Sequence, residues 1–324
     1  MDDIMFTSSS ERLVREFKAS MQSKFEMSDL GQMKYFLGVE VSQGDQGVFI
    51  CQRKYTNELL DKFGMVDSNP VRNPIVPRTK LSIEGDGVPV DETQYKQLIG
   101  NLLFLTATRP DIMFVVCLLS RYMAKPTRLH MMSAKRVLRY IKGIAEFGIQ
   151  YHRKGQGRLI GYTDNDFARD KDDRKSTGGY VFFLAGGAIS WASKKQPVVT
   201  LSTIEAEFVA VASCAAHCIW LKRVLEQMGW GESVAGATTV FCDNNFTIKL
   251  SKNPVLHGWS KHIDVQFHFL KDLVKDGVVE LVYCGTKVQI ADIMTKELGL
   301  EVFEQLRTQL GVMKNEKAVG VAGV

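Results

Sequence analysis

At 324 residues, 45% hydrophobic and 24% charged, with 41 Lys and Arg against 36 Asp and Glu, the chain has the composition of an ordinary globular protein carrying a net charge of +5. No apolar run approaches the ~20 residues that span a bilayer, and Met1-Asp2-Asp3-Ile4 offers no basic n-region, so neither membrane insertion nor secretion is expected. The length predicts about two domains, and the mild positive charge permits a polyanionic partner without demanding one.

The N-terminal half reads in chain order as follows. Ile4-Met5-Phe6 predicts a strand stub, and Ser8-Ser9-Ser10-Glu11 caps a helix carrying Leu13, Val14, Phe17 and Met21. Tyr35 to Val41 and Gly47 to Cys51 flank Gln43-Gly44-Asp45-Gln46, a β-hairpin pattern. A helix through Leu59, Leu60 and Phe63 stops at Gly64. The stretch from Asn69 to Pro89 is rich in proline and lacks periodicity, which marks a loop or linker. Helical patterns return at Gln94 to Thr106, Ile112 to Met123 and Leu129 to Ile141. Arg128, Lys135, Arg139 and Lys142 share one stripe of the last helix. A solvated charged face is the simpler meaning of that stripe, and a phosphate-tracking surface is the sharper one.

Arg153-Lys154-Gly155-Gln156-Gly157 marks a boundary, after which the element order changes. Strands are expected at Leu159–Thr163, Tyr180–Leu184 and Ile189–Ala192, the last two joined by a Gly186-Gly187 turn. A long helix from about Thr203 to Met228 is followed by a strand at Thr239–Cys242, helices at Phe246–Leu250 and Ser260–Lys275, a strand at Val278–Tyr283, and a closing helix after Gln289. That series gives a mixed five-stranded α/β (α+β) sheet with flanking helices. The expected division is therefore 1–150, 155–312 and a flexible tail 313–324, with the second part folding on its own. The six cysteines form no C-x-x-C pair, and most lie in apolar runs, as free thiols of a reduced cytoplasmic or nuclear setting would. Cys214 and Cys218 with His217 could be ligands, but their helical spacing among apolar neighbours favours core packing.

The residues that carry chemistry are acidic. Asp164 ends the strand of Gly161-Tyr162-Thr163-Asp164, and Asp243 follows Val240-Phe241-Cys242. Glu207 and Asp292 stand near the starts of helical patterns. Carboxylates projected from rigid elements to one rim repel each other unless cations hold them, which implies bound Mg2+, or Mn2+. Two ions roughly 3.5–4 Å apart can activate a water and stabilise the leaving oxygen of a phosphodiester. Asp166 competes with Asp164, and Glu205 with Glu207. The apolar stripe of the long helix runs through Ile204, Phe208, Val211, Ala215 and Ile219. At about 100° per residue, Glu207 lies about 60–70° from the stripe centre and Glu205 about 90° away on the other side. Glu207 is modestly the better placed, and Glu205 is expected as a solvated residue favouring the helix N-terminus.

These segments resemble a known family. Gly161 to Phe167, Asp173 to Tyr180, Ser190 to Gln196, Leu201 to Phe208, Cys242-Asp243-Asn244, Lys261-His262-Ile263-Asp264 and Gln289 to Lys296 together resemble the RNase H domain of copia-type LTR retrotransposon Pol polyproteins. The resemblance implies that Asp164, Glu207, Asp243 and Asp292 are the catalytic and metal-binding acids, holding two Mg2+ ions to cut RNA in an RNA–DNA hybrid. Lys175, Lys194, Lys195 and Lys261, with Lys135 and Arg139 of the basic stripe, are candidates for phosphate contact. The first half is similar to the end of the adjoining reverse transcriptase, through Phe25 to Gly31, Lys34 to Gly38, Thr106 to Ile112 and Lys135 to Gly143. It would be a mostly helical thumb and connection remnant. Met1-Asp2-Asp3 looks like the end of the polymerase Tyr-x-Asp-Asp turn, so Asp2 and Asp3 would be a polymerase remnant whose upstream partners are missing and whose polymerase activity is lost. Phe167, Arg169 and Trp259 depart from the family pattern, and the loop Cys284 to Val288 lacks the histidine of cellular relatives. The expectation is a retroelement nuclease; a non-catalytic nucleic-acid-binding module and an inert relic are the alternatives.

Overall fold

Apolar alternation on either side of Asp45-Gln46 closes a hairpin: β2 (Val39–Gly44) and β3 (Gly47–Cys51) pair antiparallel, with Gly44 opposite Gly47. The computed structural model describes residues 4–8, 10–153, 157–252 and 261–315, excluding the side chains of 261–264. Ahead of the hairpin, Ile4-Met5-Phe6 is exposed and has no regular structure, where a strand stub was expected. The helix α1 (Glu11–Lys24) follows, and a two-residue strand β1 (Tyr35–Phe36) is set off from β2 by positive φ at Leu37 and Gly38. Gly47 has φ 143, and a Cβ there would lie 1.9 Å from the Tyr151 carbonyl oxygen, so glycine alone lets the neighbouring strand approach.

That neighbour, β4 (Phe147–His152), was not foreseen. The hairpin is followed by α2 (Arg53–Lys62), α3 (Glu92–Leu105), α4 (Met113–Ser120) and α5 (Arg128–Gly143). The Asp91 side chain caps α3 by accepting from the Thr93 and Gln94 N–H groups. The irregular segment between α2 and α3 is held by α5: Arg139 Nε donates to the Asn69 carbonyl at 2.6 Å, Lys142 Nζ to the Ser68 carbonyl at 2.5 Å, and Arg128 pairs with Asp86 at 3.0 Å. Most of the basic stripe thus clamps the linker, and Lys135 is exposed.

The second sheet comprises β5 (Ile160–Asn165), β6 (Thr177–Leu184), β7 (Gly187–Lys195), β8 (Thr238–Cys242) and β9 (Val279–Tyr283). Its order is β7-β6-β5-β8-β9, antiparallel across β7-β6-β5 and parallel across β5-β8-β9. The expected mixed five-stranded sheet is this one. Helices α6 (Thr203–Gln227), α7 (Asn245–Lys252) and α8 (Lys261–Lys275) accompany it. α6 is long and apolar enough, by length and composition, to cross a membrane, against the expectation that no segment approaches that character. Here Phe208, Val211, Ala215 and Cys218 of α6 pack with Tyr180 and Phe182 of β6 in one core. The closing helix expected after Gln289 is instead a 3-10 turn, Ile290–Met294, followed by α9 (Leu300–Gln309). The last strand, β10 (Val312–Lys314), returns to β4, with Val312 opposite Ile149 and Met313 opposite Gly148. Met313 and Lys314, expected in a tail, therefore complete a first sheet of order β1-β2-β3-β4-β10.

The alternation of β6 divides its side chains between two cores. Tyr180, Phe182 and Leu184 face α6, whereas Val181 and Phe183 join a cluster with Leu102, Leu105, Val116, Leu138, Ile149, Met294 and Leu306. Residues before 150 thus cover the sheet face opposite α6, and the apolar packing does not stop at the 153–157 boundary. A buried polar network crosses the same junction. Arg109 grips Asp111 bidentately at 2.9 and 2.7 Å, Tyr140 Oη donates to Asp111 at 2.6 Å, and Arg307 of α9 reaches Tyr140 at 3.4 Å. The Arg109 and Asp111 side chains are 2% and 0% exposed, so removing one partner strands the other's charge. Asp111→Ala is expected to destabilise the chain by about 3–5 kcal/mol. Denaturant unfolding measures this, and a loss below about 1 kcal/mol would mean that Arg109 is solvated after all.

Candidate metal centre

β5 and β8 run parallel as neighbours, so their C-terminal ends reach the same rim of the sheet. Asp164 stands near the end of β5, and Asp243 directly follows β8. The 3-10 turn brings Asp292 to them. Gln289 pins that turn: its Nε2 donates to the Thr163 carbonyl at 2.9 Å, and its Oε1 accepts from Ala291 N at 3.2 Å. Oxygens of Asp164, Asp243 and Asp292 all lie within 4.8 Å of one another.

Glu207 enters from the first turns of α6, whose start is fixed by Gln196 Nε2 donating to the Ala206 carbonyl at 2.8 Å. Its carboxylate stands outside the 4.8 Å set but is buried, and its Oε2 has no hydrogen-bond partner. Glu205 differs from expectation. It is buried rather than solvated, and its Oε2 accepts from Leu201 N at 2.5 Å while its own N–H donates to Ser202 Oγ at 3.1 Å. Glu205 thus closes the helix N-terminus. Asp166 is also held elsewhere, accepting from Thr177 N at 2.7 Å.

The electrostatics are those of crowded acids. Burial pushes the Asp164 carboxyl up to about 7; Lys296 opposes the rise, and Asp292 and Asp243 add to it. Burial, then the charges of Asp164 and Asp243, push Glu207 up to about 9. Asp292 is raised as well, by burial, with Lys296 pulling against it. Hard oxygen donors, mutual repulsion and an orphaned Glu207 oxygen fit a divalent cation of the magnesium type.

Two residues in this cluster were quoted in the sequence but given no role. Lys296 Nζ lies 2.9 Å from Asp292 Oδ1 and 3.4 Å from Asp164 Oδ2, and Thr295 Oγ1 donates to the same Asp164 oxygen. The available signal was the spacing: Lys296 is four residues beyond Asp292, one turn away. Other expected residues are dispersed. Lys195 pairs with Asp170 and Asp173, both at 2.8 Å, and Lys175 with Asp173 at 3.6 Å, while Lys194 is exposed. Cys214 and Cys218 are buried in the α6 core, and His217 Nε2 meets Ser190 Oγ at 2.7 Å. Asp2, Asp3 and the Lys261 side chain lie outside the described residues.

Residues 1–77 match the family model described as reverse transcriptase (RNA-dependent DNA polymerase). The chain is 35% identical over 314 residues to the retrovirus-related Pol polyprotein from transposon RE1 of Arabidopsis thaliana, covering 97% of this chain and 21% of the relative. With the corresponding polyprotein from transposon TNT 1-94 of Nicotiana tabacum it shares 33% identity over 325 residues, 97% of this chain and 24% of the relative. The chain belongs to the copia-type retrotransposon Pol family. It spans about a fifth of the length of the RE1 polyprotein. Among solved structures, RNase H1 of the archaeon Halobacterium salinarum aligns with 43% of this chain and 94% of its own, at 12% identity and a TM-score of 0.31.

The raised carboxyls set a pH dependence. Glu207 takes up a proton on folding wherever its folded value, about 9, exceeds its unfolded one of about 4.3. The native state then binds more protons than the unfolded state, so this contribution to stability is present at low pH and is lost as pH rises toward 9. Melting in EDTA is expected to occur at progressively lower temperature from about pH 7 to about pH 9, with Glu207→Gln flattening the slope. Equal slopes for the two proteins would mean that Glu207 is already charged at neutral pH.

Proposed function

We propose that the C-terminal part of this chain is a ribonuclease H: a magnesium-dependent endonuclease that hydrolyses the RNA strand of RNA–DNA hybrids. The observation that carries this reading is the meeting of three aspartate oxygen sets within 4.8 Å at one sheet rim, beside the buried, unpartnered Glu207 oxygen. Bound Mg2+, or Mn2+ in its place, supplies Lewis acidity to an attacking water and charge neutralisation at the leaving oxygen.

The protein's part is to fix the ligands. Asp164, near the end of β5, and Asp243, directly after β8, would hold a divalent cation with Asp292 from its pinned turn. Glu207, from the first turns of α6, would add its buried carboxylate to the same ligand set. Rigid strand ends and a capped helix keep these oxygens in place without a large rearrangement on substrate binding. Duplex recognition by shape, through RNA 2′-hydroxyls and phosphates, suits a site at a sheet rim. Of the residues expected to contact phosphate, Lys194 and Lys135 are exposed, whereas Lys175, Lys195 and Arg139 are engaged within the protein.

The test is cleavage of a labelled RNA–DNA hybrid with magnesium. Asp243→Asn is expected to lower the rate by more than about a hundredfold, because losing a ligand exceeds the 10–100-fold cost of losing a ligand's support. Its melting temperature in metal-free buffer should be equal or slightly higher, since like-charge repulsion is relieved. Glu205→Gln should be mild beside Glu207→Gln. Full activity in Asp243→Asn, or a reversed order for the two glutamates, refutes the assignment.

A further inference from the structure

The acid cluster already contains a cation of the protein's own. The Lys296 ammonium lies between Asp292 Oδ1 at 2.9 Å and Asp164 Oδ2 at 3.4 Å, and both residues belong to the set whose oxygens converge within 4.8 Å. A divalent ion held by these three carboxylates would meet an ammonium already paired with two of them.

We propose that Lys296 is a built-in counter-cation that occupies the Asp164–Asp292 side of the metal site in the metal-free protein and is displaced when a divalent ion binds. The inference rests on the metal-site reading above and adds a role for a residue outside the four acids.

Three features support the exchange. The Lys296 side chain is 25% exposed, so its flexible stem has a path to the rim once the ammonium is released, unlike the fully enclosed Arg109. Asp164 keeps a second partner, because the Thr295 hydroxyl donates to it independently of Lys296 and holds its rotamer. Asp292 and Lys296 are one turn apart, so the lysine withdraws from both acids through its own torsions, leaving the turn fixed by Gln289. A buried carboxylate pair without any cation is unfavourable, and a resident ammonium limits that cost until metal arrives. The consequence is competition: part of the metal's binding free energy replaces an existing ion pair.

The experiment compares wild type, Lys296→Met and Lys296→Arg after stripping with EDTA, without nucleic acid. Melting is measured with and without MgCl2, and binding by calorimetric titration of MgCl2. Lys296→Met should melt lower than wild type when stripped, show a larger magnesium-induced rise, and bind magnesium about tenfold more tightly, a modest share of one ion pair at a partly buried site. Lys296→Arg keeps the charge and should resemble wild type in both shift and affinity. If stripped Lys296→Met is unfolded, refolding on adding magnesium supports the proposal, and failure to refold overturns it. An unchanged or weaker magnesium affinity in Lys296→Met, or an arginine variant that behaves like methionine, also overturns it. Wild type that binds no magnesium at all would sink the metal site itself, and with it this inference. Magnesium binding equal in wild type and Lys296→Met would sink this inference alone.

Discussion

A sheet that is apolar on both faces constrains everything else in this chain. Tyr180 to Leu184 is a continuous run in which alternate side chains point to opposite sides, and every member is buried. Such a strand needs cover on each face. α6 provides one cover, and the helices of the first half, with α9, provide the other. The second sheet then has only its rims free, and the carboxylates collect at the rim where β5 and β8 end side by side.

Position at a rim explains how the cluster tolerates its charge. Asp164, Glu207 and Asp292 are buried enough that ionisation is disfavoured, while Asp243 beside them is half-buried. The protein limits repulsion with Lys296 and Thr295 from the turn that also delivers Asp292. One short segment thus supplies a ligand, its charge balance and a restraint on Asp164. Placing these on a turn pinned by Gln289 keeps them in register with β5.

The distribution of basic residues follows a similar logic. A net charge of +5 says little about where a polyanion would lie, because many cations have internal work. Arg128, Arg139 and Lys142 hold the linker to α5, Arg121 and Lys195 converge on Asp170, and Arg109 is sealed in the junction between the halves. The ion pairs that bind the protein together draw on the same residue types that a nucleic acid would need.

Much of this was legible in the sequence. Period-two and helical patterns located most strands and helices of the described residues, since such patterns are properties of neighbours along the chain. Of the four ordered acids that the sequence singled out, the fold brings the oxygens of Asp164, Asp243 and Asp292 within 4.8 Å of one another. The partnerships were not legible. β4 and β10 are short, and each becomes a strand by pairing with a segment distant in sequence. Asp292 reaches the cluster on a 3-10 turn fixed from β5, Glu205 is consumed by capping, and Lys296 acquires a role only when Asp164 is brought beside it. Local periodicity is written residue by residue, but whether a charge is solvated, paired or poised for a metal depends on what the fold places within a few ångströms of it, and only the tertiary structure decides that.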